Sequence, residues 1–466
     1  MRRRRRPDGC GCGAWDLQML CRDPPSSREP GDARRSSRLR ASRTLAGMTE
    51  AAPASGARAF AGAFLTHPAV LWSAFVLVHL ILGLICLTAP SLPMGDVTIA
   101  YAFWVRQGVE ADIWVGIDTA WVYPIVALVP MLASLIAGWT FYASTWLTLV
   151  MAVDAIAFAV LLRRGRPDRA TAPVAWWWLG FLLALGPVAL GRIDSFATAL
   201  AIVGALLVVG RPVIGSALLA TAAWIKVWPA ALVAAAVIAL RRRLTVVATA
   251  LAVSVIVLGV GVLLGGGPGL VSFITQQDGR GLQIESPLAI PAMWAAWAHD
   301  GTVIYYDREI LTYQLQGQGV AEAAALSTPL LALAVAAISA LGIVGAVRRR
   351  DPAILLPPLM LAFTGALILF NKVGSPQFTG WLAVPVIFGL VMARIGGGRS
   401  FRTPAVIAVV IAAFTQVVYP YLYGKLLALD TVLLITLTAR NILTAVLVAW
   451  AVKALIDAVR SDPELS

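Results

Sequence analysis

"PAVLWSAFVLVHLILGLICLTAP", residues 68–90, contains no acid, lysine or arginine. At a rise of 1.5 Å per residue, one helix of this length crosses a hydrocarbon layer of about 30 Å. A single such run is also compatible with a buried core helix, so the number of runs decides. Eleven more follow, at 122–138, 141–162, 173–190, 196–210, 213–240, 244–264, 321–346, 352–370, 377–393, 403–423 and 432–453. Hydrophobic residues make up 59% of the 466, charged residues 13%, and the mean hydropathy is +0.81. That leaves too little polar surface for a soluble chain of this size. Backbone groups in lipid must be satisfied within their own segment, so the expected class is an all-α polytopic membrane protein.

The net charge of +13 does not point to nucleic acid once its distribution is read. Residues 1–47 carry twelve arginines against five acids. Most of the remaining basic residues stand in short clusters between apolar runs: "RRGRPDR" (163–169), "RRR" (241–243), "RRRD" (348–351) and Arg394 to Arg402. Basic loops beside spans follow the positive-inside rule. Cys10, Cys12 and Cys21 lie in the basic tail and Cys86 in the first run, with no second pair or histidine cluster to complete a metal site. Residues 1–67 read as a basic, disordered cytoplasmic tail. Met48 is a natural start, so 1–47 are a candidate mis-assigned beginning.

The basic clusters pin a topology. The first run carries the chain out, which makes 91–121 external. Run 122–138, opening with "YP" and containing Pro130, is expected to be re-entrant or interfacial, so that "RRGRPDR" stays inside. Run 213–240 is expected as two short helices broken near Lys226 to Pro229, because proline removes a donor and disfavours helix at the residue before it. Segment 265–320 is then a large external loop. The outcome is about eleven spans (within a range of about nine to thirteen) in one transmembrane domain, 68–455, followed by a cytoplasmic tail at 456–466.

Pins chosen from basic residues alone place the unusual polar motifs on one face. They are "MGDVTIAYAFW" with Asp96, "GIDTAWVYP" with Asp118 and Tyr123, and "GRIDS" with Arg192 and Asp194. "WIKVWP" with Lys226 and "FNKVGSPQFTGW" with Lys372, Ser375 and Gln377 complete the set. Ionisable groups at membrane depth are costly and mark substrate paths. Each has a bland alternative. Asp96 is a general base or a helix cap, and Asp118 a substrate contact or a loop residue. Arg192 faces an anion or pairs with Asp194, which in turn orients it or caps the next helix. Lys226 and Lys372 meet phosphate or snorkel to the interface. His299, in "WAHDG", is a minor candidate in the large loop. Trp294, Trp297, Tyr305 and Tyr306 suit an interfacial belt as well as a sugar surface.

The order of these elements resembles the actinobacterial GT-C-type mannosyltransferases that use polyprenyl-phosphate-mannose, including those of the phosphatidylinositol mannoside type. The elements are an early Asp after the first span, "YP", "G-R-I-D-S", "A-A-W-I-K-V-W-P" and "N-K-V-G-S-P-Q-F-T-G-W". The resemblance covers roughly residues 68 to 455. It implies a GT-C-like fold of the cell (plasma) membrane with its active site on the external, periplasmic face, and an inverting transfer. It also implies a lipid-linked sugar donor, mannose in the family. The family's catalytic Asp falls on Asp96, its lysine before proline on Lys226, and its serine–proline–glutamine element on Ser375, Pro376 and Gln377. Where the family has glycine–glutamine, this chain has Gly191–Arg192, and "YPP" is reduced to Tyr123–Pro124.

The residues suit that chemistry. Asp96 as general base contributes ~10²–10⁴-fold, while Lys226, Arg192 and Lys372 offset charge developing on the donor phosphate. "GGGPG" (265–269) lacks the strand–loop–helix setting and Lys-Ser/Thr ending of a nucleotide site. The absence of a D-x-D pair argues against a required metal, and no cofactor is expected. Expected partners are a polyprenyl-phosphate sugar, a lipid-linked or glycan acceptor, and membrane lipids, not nucleic acid. A polyprenyl-lipid or sugar transporter (flippase) is the alternative; a non-catalytic assembly subunit is a third.

Overall fold

A computed structural model describes residues 63–164, 170–276, 279–308, 310–395 and 397–460. The tail expected at 1–67 lies almost wholly outside this range, as do part of the "RRGRPDR" cluster and residues 461–466.

The helix Pro68–Thr88 shows how the apolar runs fold. His67 Nδ1 accepts from the Ala69 amide at 3.2 Å, and Pro68 occupies the first turn, where its missing N–H costs nothing. Leu71, Phe75, Val78, Leu82 and Cys86 are buried on one stripe, whereas Leu77, Leu80, Leu84 and Leu87 are exposed on the other. Exposed apolar side chains of this number and continuity need a lipid cover. The same pattern runs along Arg243–Leu263, where Leu251, Val255, Ile256, Val262 and Leu263 face outward.

Among the described residues, nine helices are long and apolar enough to cross a membrane. They are Pro68–Thr88, Trp139–Arg163, Ala172–Ala189, Arg243–Leu263, Val320–Val347, Pro352–Leu369, Phe378–Ile395, Arg402–Tyr421 and Thr431–Arg460. The run at 122–138 folds as a short apolar helix, Ile125–Ala137, in keeping with an interfacial element. The run at 196–210 was expected to cross but forms the 15-residue helix Asp194–Val208, about 22 Å long. Run 213–240 is broken as expected into Pro212–Ile225 and Ala230–Ala239, with Lys226 extended between them. The two runs at 196–210 and 213–240, which form three short helices, account for the difference between nine and eleven. The last helix continues to Arg460, beyond the boundary drawn at 455.

Asp194–Val208 survives without lipid length because it is buried nearly all round and clasped by Pro212–Ile225. Gly215 sits directly against the Val208 backbone, where any side chain would collide. This short pair therefore forms a hairpin turning at residues 209–211, and its open end carries both Arg192, just before the first helix, and Lys226, just after the second.

The described chain is mostly helical, consistent with an all-α polytopic membrane protein. One small hairpin stands apart: within 265–320, β1 (Val303–Asp307) and β2 (Thr312–Gln316) pair antiparallel, with Tyr305 opposite Gln314 and Tyr306 opposite Tyr313. "VIYYD" and "TYQLQ" are rich in β-branched and aromatic residues, and short strands of that composition favour a pleated surface. Residues 282–284 add to the same edge: the Leu315 amide donates to Leu282 O at 3.0 Å, and Gln283 bridges to Gln314.

Candidate active site

Asp96 opens a π-helical turn, Asp96–Tyr101, that runs directly into the helix Ala102–Ala111. π-turns recur at functional sites because the wider turn re-aims side chains. Its carboxylate is 39% exposed, and Oδ2 lies 3.2 Å from Arg192 Nε, whose side chain is only 4% exposed. Arg192 Nη1 donates to Pro93 O at 2.9 Å and Gly191 O at 2.8 Å, and Nη2 donates to the Tyr419 hydroxyl at 2.6 Å. Burial works against the Arg192 charge, but the Asp96 carboxylate and the hydroxyls of Tyr419 and Tyr101 outweigh it and hold the guanidinium above its ordinary pKa. Three of the five N–H groups thereby donate to protein acceptors, and the Nε edge lies within ion-pair distance of Asp96. Most of the guanidinium fork expected to face a phosphate is thus turned to Pro93, Gly191 and Tyr419, with Asp96 alongside.

Two residues further on, Asp194 Oδ1 accepts from Trp381 Nε1 at 2.7 Å, and Oδ2 lies 3.6 Å from Lys226 Nζ. Trp381 is held by near-parallel stacking on Trp228 (centroids 5.2 Å apart) and on Phe378 (4.2 Å). The Lys226 ammonium stands 4.2 Å from the Tyr123 ring centroid, so an acid and a π face share one cation. The break after Ile225 makes this possible, because a continuous helix would carry Lys226 further round the axis. Tyr101 closes the group: its hydroxyl accepts from the Ile193 amide at 3.3 Å, and its ring packs on Trp104, Tyr123 and Trp146.

Asp96, Tyr123, Arg192, Asp194 and Lys226 thus form one connected cluster, drawn from four motifs spread over 131 positions of sequence numbering, 96 to 226. Ser375 and Gln377 lie on an adjoining loop. Ser375 Oγ donates to Gln377 Oε1 at 2.5 Å, and Gln377 shares a cavity lining with Asp194, Ser195 and Asp154. Lys372 O accepts from the Gln283 amide at 3.0 Å, and Ser286 Oγ donates to Asn371 O at 2.6 Å, so this loop is sewn to the 283–286 segment. Gly374 is required there, since a side chain would run into the backbone of Glu285 and Ser286. Asp118 and His299 stand differently. The Asp118 carboxylate accepts from the Trp114 amide at 2.7 Å and closes an exposed turn. His299 is exposed at the left-handed end of the helix Ile290–Trp297.

Several partners were not singled out from sequence. Glu285 and Arg440 form a buried pair at 2.7 Å, reinforced by Arg440 Nη2 donating to Glu285 O. Burial raises the Glu285 carboxyl above its usual range, and Arg440 opposes that shift. His79 Nε2 and Asp154 Oδ2 meet at 3.1 Å between two spans, with His79 Nδ1 against Phe75 O. Arg440 and Asp154 are lone charges inside apolar runs, and that signal was open to a sequence reader. Tyr419, Trp381 and Arg280 gave no such signal. No family model, curated protein or solved structure matches this chain.

Proposed function

We propose that the protein is an integral-membrane glycosyltransferase that moves a sugar, mannose by the resemblance, from a polyprenyl phosphate to a lipid-linked or glycan acceptor. One observation carries the reading: a solvent-reachable carboxylate, Asp96, is held by a buried arginine beside a second cation, Lys226, at the end of the same short helical hairpin loop system. Arg192 engages Oδ2, which leaves Oδ1 to accept the proton of an acceptor hydroxyl. Lys226 supplies positive charge where a departing phosphate needs it. Tyr123, whose ring carries the Lys226 ammonium, packs edge to face on Trp104 and Trp121, so aromatic surface of the kind that stacks on sugar rings adjoins the cation.

The test is transfer from labelled polyprenyl-phosphate-mannose into a lipid extract by purified protein. Asp96→Asn should reduce product at least ~10²-fold while the protein still accumulates in membranes; undiminished product would remove Asp96 from the mechanism. A transporter is the second reading, and the buried His79–Asp154 pair favours it, because ionisable pairs between spans recur in proton-coupled carriers. Movement of a labelled lipid across vesicles with no new glycosidic bond would support that reading.

A further inference from the structure

Arg280 lies outside every motif discussed so far, yet the fold delivers it to the candidate site. Its neighbour Gly281 has no room for a side chain, because the Gln314 side-chain amide fills that place. Gln314 is itself buried and fixed by Nε2 donating to Asp307 Oδ2 at 2.8 Å. The following residues, 282–284, join the β2 edge. Residue 280 is therefore held at a set position by the β1–β2 hairpin. The guanidinium lies within electrostatic reach of Tyr123, Lys226 and Asp307. Its Nε–H is buried and finds no acceptor among the described residues.

The charge pattern around Tyr123 is then uneven. Arg192 is matched by Asp96 and Lys226 by Asp194, each within salt-bridge distance. Arg280 forms no such pair at that distance among the described residues, and an arginine stays charged even when partly desolvated. Among the described residues, a surplus cation with a buried, unmet donor, next to a lysine on an aromatic face, matches an anion richer in charge than a phosphodiester.

We propose that Lys226 and Arg280, around the Tyr123 ring, form a site for a phosphate monoester, the group a polyprenyl-phosphate donor leaves behind. The proposal rests on the glycosyltransferase reading. In that reaction the acceptor oxygen bonds to the anomeric carbon, and its proton passes to Asp96. The electron pair of the broken C–O bond leaves on the phosphate. A phosphodiester with one negative charge becomes a monoester with about −1.5 to −2 at neutral pH. Lys226 meets the charge already present in the donor, and Arg280 meets the charge that appears as the bond breaks. Arg280 is thus a catalytic residue for the departing group, carried on a segment remote from the base.

The experiment measures binding of farnesyl phosphate, its methyl ester and farnesol to the detergent-solubilised full chain. Wild type should bind the monoester on the order of tenfold more tightly than the methyl diester, as one additional charge-assisted contact allows. Arg280→Gln should abolish that preference while keeping diester binding, and Arg280→Lys should restore most of it, which separates charge from folding. Farnesol should bind weakly and equally to all three. An Arg280→Gln protein that keeps the full preference overturns the site. Wild type that transfers sugar but does not distinguish the two esters overturns the site and leaves the glycosyltransferase reading standing. Wild type that neither transfers sugar nor binds either ester overturns both.

Discussion

Replacing Arg192 by Gln separates two roles a buried arginine can have beside a catalytic carboxylate. The guanidinium holds Asp96, Pro93 O, Gly191 O and the Tyr419 hydroxyl together. Glutamine reaches less far and has two N–H donors in place of five. At least two buried acceptors lose their partner, each at about 1–3 kcal/mol. The Asp96 pair adds less than a fully buried one, because that carboxylate is 39% exposed and water screens it. A stability loss of about 2–6 kcal/mol follows, visible as a lower Tm in detergent. A base displaced by even ~1 Å loses about 10²-fold in rate. Because Arg192 directs its donors at protein, kcat should fall ~10–100-fold while the donor KM changes less than about threefold. The assay is transfer from labelled polyprenyl-phosphate-mannose at graded donor concentrations, with Asp96→Asn and the double variant alongside. If Arg192 acts through Asp96, the second substitution adds almost nothing to the first. Additive losses, or a donor KM raised tenfold with kcat intact, would refute the positioning role and restore Arg192 as a phosphate contact.

Other perturbations read different parts of the structure. Lys226→Met removes the cation between Asp194 and Tyr123, and should cost ~10²–10³-fold in transfer; activity within threefold of wild type would exclude Lys226 from charge stabilisation. Arg440→Ala strands the buried Glu285 carboxylate and should destabilise the fold by about 3–5 kcal/mol, seen as a lowered Tm and poor accumulation. His79→Leu or Asp154→Leu alone should lower Tm, and the double Leu variant should recover much of it, with transfer retained in the double variant. Loss of transfer in that stable double variant would give the pair a working role.

Several features of the site were readable before any coordinates. The break at Lys226 followed from Val227-Trp228-Pro229, since a proline there cannot extend the preceding helix. That run 122–138 would fall short of a full span followed from Pro130 and from the charge balance of the flanking loops, and the helix there is the short Ile125–Ala137. Asp96, Arg192, Asp194 and Lys226 stood out because charges at membrane depth are rare. Their roles did not follow. Arg192 pointed to an anion from its chemistry alone, but whether its fork faces ligand or backbone depends on Pro93, Gly191 and Tyr419, which no local spacing relates.

By itself the sequence determined the class of protein, the positions of most membrane helices and the list of charges that lipid would not tolerate. Those are properties of segments: hydropathy, proline and charge act within about twenty residues of chain. Tertiary structure alone decided which charges meet. Asp194 pairs with Lys226 across the open end of a short hairpin, Glu285 finds Arg440 across 155 positions, and Arg280 reaches the site because Gly281 admits the Gln314 side chain. Such pairings need distances of a few ångströms between segments whose separation along the chain carries no information about their separation in space. In a low-dielectric interior that proximity, not residue type, fixes whether a charge is a ligand contact or a brace.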